Sequence, residues 1–493
     1  MTHLELVAEL RQIVGERGLV TDPDALMTYN ADGCVMDTHD PDVVVLPANT
    51  EQVVAVVKLA ASERVPLIAR GAGTGLSGGA TPTRGGIVLV TSRMAKILEV
   101  DTRNNRCRVQ PGVINFELTA HLKSYGYQFA ADPSSQKACT IGGNIANNSG
   151  GPHCIKYGVT GSHVLGVQMV LADGSIFWSG EGLVEQPGYD LTGVTVGAEG
   201  TTCVITECWL KILPLPEATR VVMAIYNDIR PSAETVSAII AGGFLPAALE
   251  VMDDVALKAV NDAYKMGIPA GAGAALIIEV DGVDDGLDDL LAEIVQIAKD
   301  KGAIEVRAAK TPEEQVKLWA ARKNAFGAMG RLAPTYHLVD TVVPRTKLPT
   351  IMDDVKRISR EVNLPIANVF HAGDGNLHPI VLFDSTDPDQ NARAHKAVEE
   401  VMRLSIAYGG VISGEHGVGI EKQEFMSYMF NDDDLGAMAA LHEAFDPQDL
   451  LNPGKIFPRK YNPNELAATR RQASTAPDGL AAVVAKHGDK VWI

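Results

Sequence analysis

Residues 66–80 read PLIARGAGTGLSGGA. Five of these fifteen are glycine, at 71, 73, 75, 78 and 79, so the backbone can take positive φ and present bare N–H groups. Residues 73–78 spell GxGxxG after an apolar strand at 65–69. In the dinucleotide-binding turn that motif runs straight into a helix, whose N-terminus holds the pyrophosphate. Here TPTRGG (81–86) follows instead, and then IVLV (87–90), a second strand. The stretch is a loop between strands. Its successive N–H groups suit a nest around an anion, and taken alone it reads equally well as a bare surface loop.

A second stretch decides between the two. Residues 132–158, DPSSQKACTIGGNIANNSGGPHCIKYG, are again small, with short polar groups at Ser134, Ser135, Thr140, Asn144, Asn147 and Asn148. Two long, barely hydrophobic loops inside a compact domain point to a function. Together with VTVGAEGT (194–201) and LNPGK (451–455) they resemble the flavin-binding domain of the vanillyl-alcohol oxidase superfamily. Over roughly residues 15–458 the chain is similar to the FAD-linked 2-hydroxy acid dehydrogenases. That family takes in the D subunit of bacterial glycolate oxidase and the D-lactate and D-2-hydroxyglutarate dehydrogenases.

The resemblance implies an α+β protein: a two-part FAD-binding domain of the PCMH type plus a ferredoxin-like α/β substrate (cap) domain. It also implies where FAD is held. The first loop would contribute Arg70, Gly71, Ala72, Gly73, Thr74, Gly75, Leu76 and Ser77. The second would contribute Pro133, Ser134, Thr140, Gly142, Gly143, Asn147, Gly150, Tyr157 and Gly158. Glu199, Val204, Ile205 and Asn452 complete the set. Some relatives attach FAD covalently through a His in the first loop. Residues 70–79 contain no His or Cys, so noncovalent FAD is expected.

A net charge of −18, from 43 basic and 61 acidic residues, argues against nucleic acid and against a broad basic lipid-binding face. Six scattered cysteines (34, 107, 139, 154, 203, 208) form no CxxC and no iron–sulfur run. The first eighteen residues mix acidic with apolar side chains and lack a signal core, and no window approaches a membrane span. A soluble, reduced, cytoplasmic protein is expected, reaching the inner membrane only through partner subunits. The resemblance implies iron–sulfur and flavin subunits of a glycolate oxidase complex as those partners.

Periodicity places an N-terminal helix, then a strand at 43–47 and a helix over 51–64 capped by Thr50. Asp173-Gly174 marks a hairpin, and a helix is expected over 313–331. Domains are expected at 1–218 (FAD binding), 219–411 (substrate or cap) and 412–458 (returning to the flavin). Residues 459–493 are loose in composition and read as a flexible tail or a partner-docking arm.

FHAGDGNLH (370–378) reads as a hairpin around Asp374-Gly375. A two-residue turn there sets His371 directly opposite His378, close enough to share a metal ion. Two separate histidines bonded to backbone carbonyls are the alternative. GEHG (414–417) adds a carboxylate and an imidazole, and two His plus one carboxylate suit a divalent ion. The resemblance implies His371, His378 and Glu415 as ligands of Zn2+ or Mn2+, and His416 as catalytic base. On an extended loop, Glu415 and His416 are expected to point in opposite directions. Arg322 reads blandly as a surface charge; the resemblance makes it the bidentate clamp on the substrate carboxylate.

Relatives that take 2-hydroxyglutarate carry polar groups where this chain has Phe326, Leu338 and Ile380. Oxidation of a short 2-hydroxy acid, glycolate or D-lactate, is therefore expected, with the hydride passing to flavin N5 and the electrons to a partner. D-2-hydroxyglutarate oxidation and a non-catalytic flavin-bearing scaffold are the alternatives.

Overall fold

The computed structural model describes residues 1–34, 37–180, 182, 188–461 and 463. The N-terminal part holds two small sheets and a two-stranded pair, Tyr127–Gln128 with Leu213–Pro214. In the first, Val43–Val45, Ile87–Val90 and Leu67–Arg70 run parallel, with Leu19–Val20 antiparallel at one edge. Val43, Val45 and Leu89 pack on one face against Leu10, Val53, Val56 and Val57 from helices His3–Val14 and Thr50–Glu63. Val44, Ile68 and Val88 are buried on the other face. Burial on both faces is why these strands are continuous apolar runs. Asn49, not Thr50, caps the second helix, its side chain accepting from the Gln52 N–H at 2.9 Å.

Leu67–Arg70 and Ile87–Val90 are parallel neighbours joined by residues 71–86 with no helix between them. The second sheet is antiparallel and has five strands: Ile97–Asp101, Arg106–Val109, Val204–Lys211, Val164–Val170 and Ile176–Trp178. Its last two strands form the expected hairpin, with Gly174 at φ +78°.

The second part is built on one larger sheet. Glu305–Ala308, Ala218–Tyr226, Ala274–Gly282, Ala248–Asp253 and Ile366–His371 lie side by side, all antiparallel. Alternation along the long strand sends Val222, Ala224 and Tyr226 to one core and Val221, Met223 and Ile225 to the other. Helices Ile229–Ala241, Leu287–Asp300, Leu348–Val362 and Pro388–Ala407 cover the first face. Asp254–Tyr264, Pro312–Lys323 and Ala325–Met329 cover the second, extending the ferredoxin-like outline by another layer. The single helix expected over 313–331 is broken at Asn324, whose φ −97° and ψ 1° leave the helical region.

After helix Asp432–Phe445 the chain returns to the first sheet. The Leu67 N–H donates to Leu450 O and the Asn452 N–H to Leu67 O, both at 2.8 Å. Apart from residues 459–461 and 463, the expected tail lies outside the described residues. No helix among the described residues is long and apolar enough to cross a membrane.

Candidate active site

Both glycine-rich stretches face one cavity of about 410 Å³ between the two parts. Residues 69–76 form one wall. Among the described residues, none of the backbone N–H groups from 72 to 79 donates to a protein acceptor. Gly73 and Gly78 take φ +70° and +75°, and a Cβ on Gly71 would lie 2.3 Å from Thr140 Oγ1. A row of free N–H groups, with no room for a side chain at Gly71 and left-handed backbone at Gly73 and Gly78, fits a pyrophosphate. Arg70, mostly buried and anchored to Ala31 O at 2.7 Å, adds a cation to the same wall.

The second stretch is not wholly loop. Thr140 caps a helix, Ile141–Asn147, accepting from the Gly143 N–H at 3.3 Å. Pro133, Ser134, Thr140, Gly142, Gly143, Asn147 and Gly150 line the cavity with Glu199, Val204 and Ile205.

Four expected cofactor contacts lie elsewhere. The Tyr157 hydroxyl donates to Asp281 Oδ2 at 2.5 Å, placing Tyr157 and Gly158 at the joint with the second part. Ser77 is buried behind the wall and donates to His416 O at 3.0 Å. Asn452 braces the loop from outside, its Nδ2 donating to Gly79 O and Glu199 O.

The opposite wall comes from the second part: Lys323, Phe326, Tyr336, Leu338, His378, Glu415 and His416. Ile380 is buried in the core, paired with Leu338, and does not reach the cavity. The hairpin register differs from expectation. His371 pairs with Asn376, and residues 372–375 form a four-residue turn with Gly375 at φ +86°. The partner of His371 has moved by two residues, which preserves the face. The two rings therefore still meet, with centroids 5.1 Å apart at 83°.

Glu415 Oε1 lies 3.2 Å from His371 Nε2 and 3.4 Å from His378 Nε2. Each donor atom of this trio is within 4.8 Å of the others, and His378 has hydrogen-bond partners at neither ring nitrogen. Burial pushes the Glu415 carboxyl up, but the imidazoles around it outweigh this and hold it down to about 2. Burial pushes His371 down, and Glu250 and Glu415 outweigh it, holding that imidazole well above its usual value. The site is built to carry a positive charge, and its donor set suits a divalent ion.

Glu415 and His416 do not point apart. Glu415 Oε1 lies 3.8 Å from His416 Nε2, and the His416 ring stacks on His378 at 5.0 Å and 10°. The loop is a tight turn, not extended, because Asp340 gathers the N–H groups of Gly414, Glu415 and His416 at 3.0–3.3 Å. Asp340 also takes Lys422 Nζ at 2.8 Å, both side chains fully buried. Burial alone would raise this carboxyl; Lys422 and the nearby histidines hold it well below its usual range. Asp340, His378 and His416 form a second possible metal trio. Lys422 already compensates that carboxylate, so His371, His378 and Glu415 make the better site. Burial pushes His416 down to about 4, leaving a neutral imidazole with Nδ1 unpartnered.

Arg322 is not a surface charge: it is 2% exposed, and its Nε donates to Glu250 Oε2 at 2.6 Å. That edge is unavailable for a bidentate clamp, and the buried Nη2 is without a partner. Glu250, Asp340, Lys422, Asp32 and Lys323 belong to the site without any motif to mark them. For the first two a signal exists: a carboxylate inside an otherwise apolar run, ALEVMD and HLVDTVV.

Residues 41–180 match the family model of an FAD binding domain, and residues 215–456 that of the C-terminal domain of FAD linked oxidases. The chain is 41% identical over 463 residues to glycolate oxidase subunit GlcD of Escherichia coli (strain K12), covering 94% of this chain and 93% of that one. It is 31% identical to D-lactate dehydrogenase of Anaerostipes hadrus, over 92% and 97% of the two chains. The solved 4-ethylphenol oxidase from Gulosibacter chungangensis shares the fold, with a TM-score of 0.77 over 93% of this chain and 98% of that one at 19% identity.

Proposed function

The chain belongs to the family of FAD-linked oxidases, and from that premise we propose that it oxidises a short 2-hydroxy acid, glycolate or D-lactate, to the 2-oxo acid. One observation carries this reading: His378, Glu415 and His416 face the same cavity as the glycine wall at 69–76. Noncovalent FAD, held by the N–H groups of 72–76 with Arg70 and the Thr140-capped helix, would supply the two-electron acceptor. Cys139 and Cys203 also line the cavity, but burial pushes both thiols up, Cys203 to about 12, and favours no covalent link.

His371, His378 and Glu415 would hold Zn2+ or Mn2+, a Lewis acid for the hydroxyl and carboxylate oxygens. His416, neutral at working pH, takes the hydroxyl proton. Arg322 does not line the cavity, so the role inferred for it at the substrate carboxylate falls to its unpartnered Nη2 and requires that edge to become accessible. Without an iron–sulfur motif in its sequence, the chain passes electrons to a partner; the relatives' name, a glycolate oxidase subunit, supports a complex, and iron–sulfur and flavin subunits are the partners we infer for it. Contact with the inner membrane would then run through those partners.

A second reading has its own support. Lys323 and Tyr336 line the wall beside Phe326 and Leu338, so a cation is on hand for the distal carboxylate of D-2-hydroxyglutarate. Anaerobic mixing with glycolate, D-lactate and D-2-hydroxyglutarate separates the readings. The flavin colour should bleach with one of the first two. Bleaching only by the third moves the substrate to a dicarboxylate, and bleaching by none leaves a flavin-bearing scaffold.

A further inference from the structure

Glu250 sits in the middle of strand Ala248–Asp253 and is fully buried. The register sets it opposite His371 on the neighbouring strand. Its Oε1 lies 2.6 Å from His371 Nδ1, and its Oε2 accepts from Arg322 Nε, also at 2.6 Å. His371 Nε2 lies 3.2 Å from Glu415 Oε1. Arg322, Glu250, His371 and Glu415 thus form one row, none more than 12% exposed.

Oε2 accepts from a guanidinium, which only donates, and Oε1 of the same carboxylate faces Nδ1, so the hydrogen between Glu250 and Nδ1 is placed on the imidazole. A ring held this way gives up its Nε2 hydrogen, the one facing Glu415, when an ion binds, and keeps Nδ1–H. That is the tautomer a metal ligand requires, and a buried carboxylate behind a ligating His is how such sites hold it. The second oxygen does something further. It ties the same carboxylate to a guanidinium that takes up part of its charge.

We propose that Glu250 is a positioning residue for metal capture: it fixes the His371 ring through Nδ1–H, so that Nε2 is the nitrogen offered to the ion, and links that ring to Arg322. The role rests on the reading of His371, His378 and Glu415 as ligands. It carries a consequence of opposite sign for the two neighbours. Removing the Glu250 charge weakens the ion's hold. Removing Arg322 strengthens it, because Glu250 then turns its full charge on His371 and a cation has left the vicinity.

The test uses the full FAD-loaded chain, stripped with a chelator and dialysed against Co2+, with bound cobalt measured by elemental analysis. Glu250→Gln should bind Co2+ roughly 10–100-fold more weakly at unchanged FAD content. Arg322→Met should bind it at least as tightly as wild type. Because Glu250→Gln leaves a buried guanidinium without its anion, Glu250→Met/Arg322→Met serves as the second variant; it buries neither charge and should also weaken Co2+, though less than Glu250→Gln because the cation has gone too. Wild-type affinity in both Glu250 variants would overturn the positioning role while leaving the ligand set standing. No Co2+ uptake by the wild type would bring down the ligand set, and this role with it.

Discussion

The glycine wall and the histidine cluster face each other across one cavity and are built on opposite principles. The wall is backbone: N–H groups from 72 to 79 without protein acceptors, and glycines where a Cβ has no room. The cluster is side chain: His371, His378, Glu415 and His416 held by carboxylates buried behind them, Glu250 and Asp340. Backbone display depends on local composition. A buried charge cluster depends on every partner being in place, since one missing member strands another charge in a low-dielectric interior. The wall should therefore tolerate change except at its tightest glycines, and the cluster should fail wherever it is touched.

The largest expected effect lies in the cluster. His416→Ala should slow flavin reduction by roughly 10²–10⁴-fold while FAD content stays stoichiometric; rapid-mixing absorbance reads this, and an unchanged rate would remove His416 as the base. Next is Asp340→Ala, which strands Lys422 and should lower unfolding stability by about 3–5 kcal/mol in denaturant titrations. Adding Lys422→Met should recover much of that loss, and no recovery would mean the loop is held by something other than this pair.

Smaller effects are expected in the wall. Gly71→Val drives a side chain into Thr140 Oγ1 and should weaken FAD binding by about 1–3 kcal/mol, measured by flavin content after dialysis. Gly75→Ala should be the mildest. Gly75 has no left-handed φ, and a Cβ there would meet nothing closer than Asp32 Oδ2 at 3.4 Å, so FAD content should stay near wild type. A collapse of FAD binding in Gly75→Ala would erase the distinction between tight and open glycines.

Much of the wall could be read from the chain. Glycine spacing invited a Rossmann turn, the absent helix after GxGxxG excluded it, and the parallel strands joined by residues 71–86 bear that out. The helix at Ile141–Asn147 was harder to read, because IGGNIAN carries two glycines and gains its start from the Thr140 cap and its tertiary packing. The histidine pair was readable for a reason of parity. The turn is two residues longer than a tight hairpin, so the face stayed correct although the register did not. At Glu415 and His416 the same kind of reasoning failed. Alternation holds for extended backbone, and three N–H groups converging on Asp340 curl this loop instead.

By itself the sequence determined which backbone can display bare N–H groups, where strands are buried on both faces, and that His371 and His378 share a side. These are local matters of φ, Cβ and period. Only the tertiary structure decided that Glu250 backs His371, that Asp340 with Lys422 shapes the 414–416 turn, and that Arg322 is buried with one edge spent. Those partners lie from 72 to 121 residues apart in the chain. What brings them together is the burial of charge, whose large desolvation cost is offset only by partners in contact, wherever in the sequence they come from.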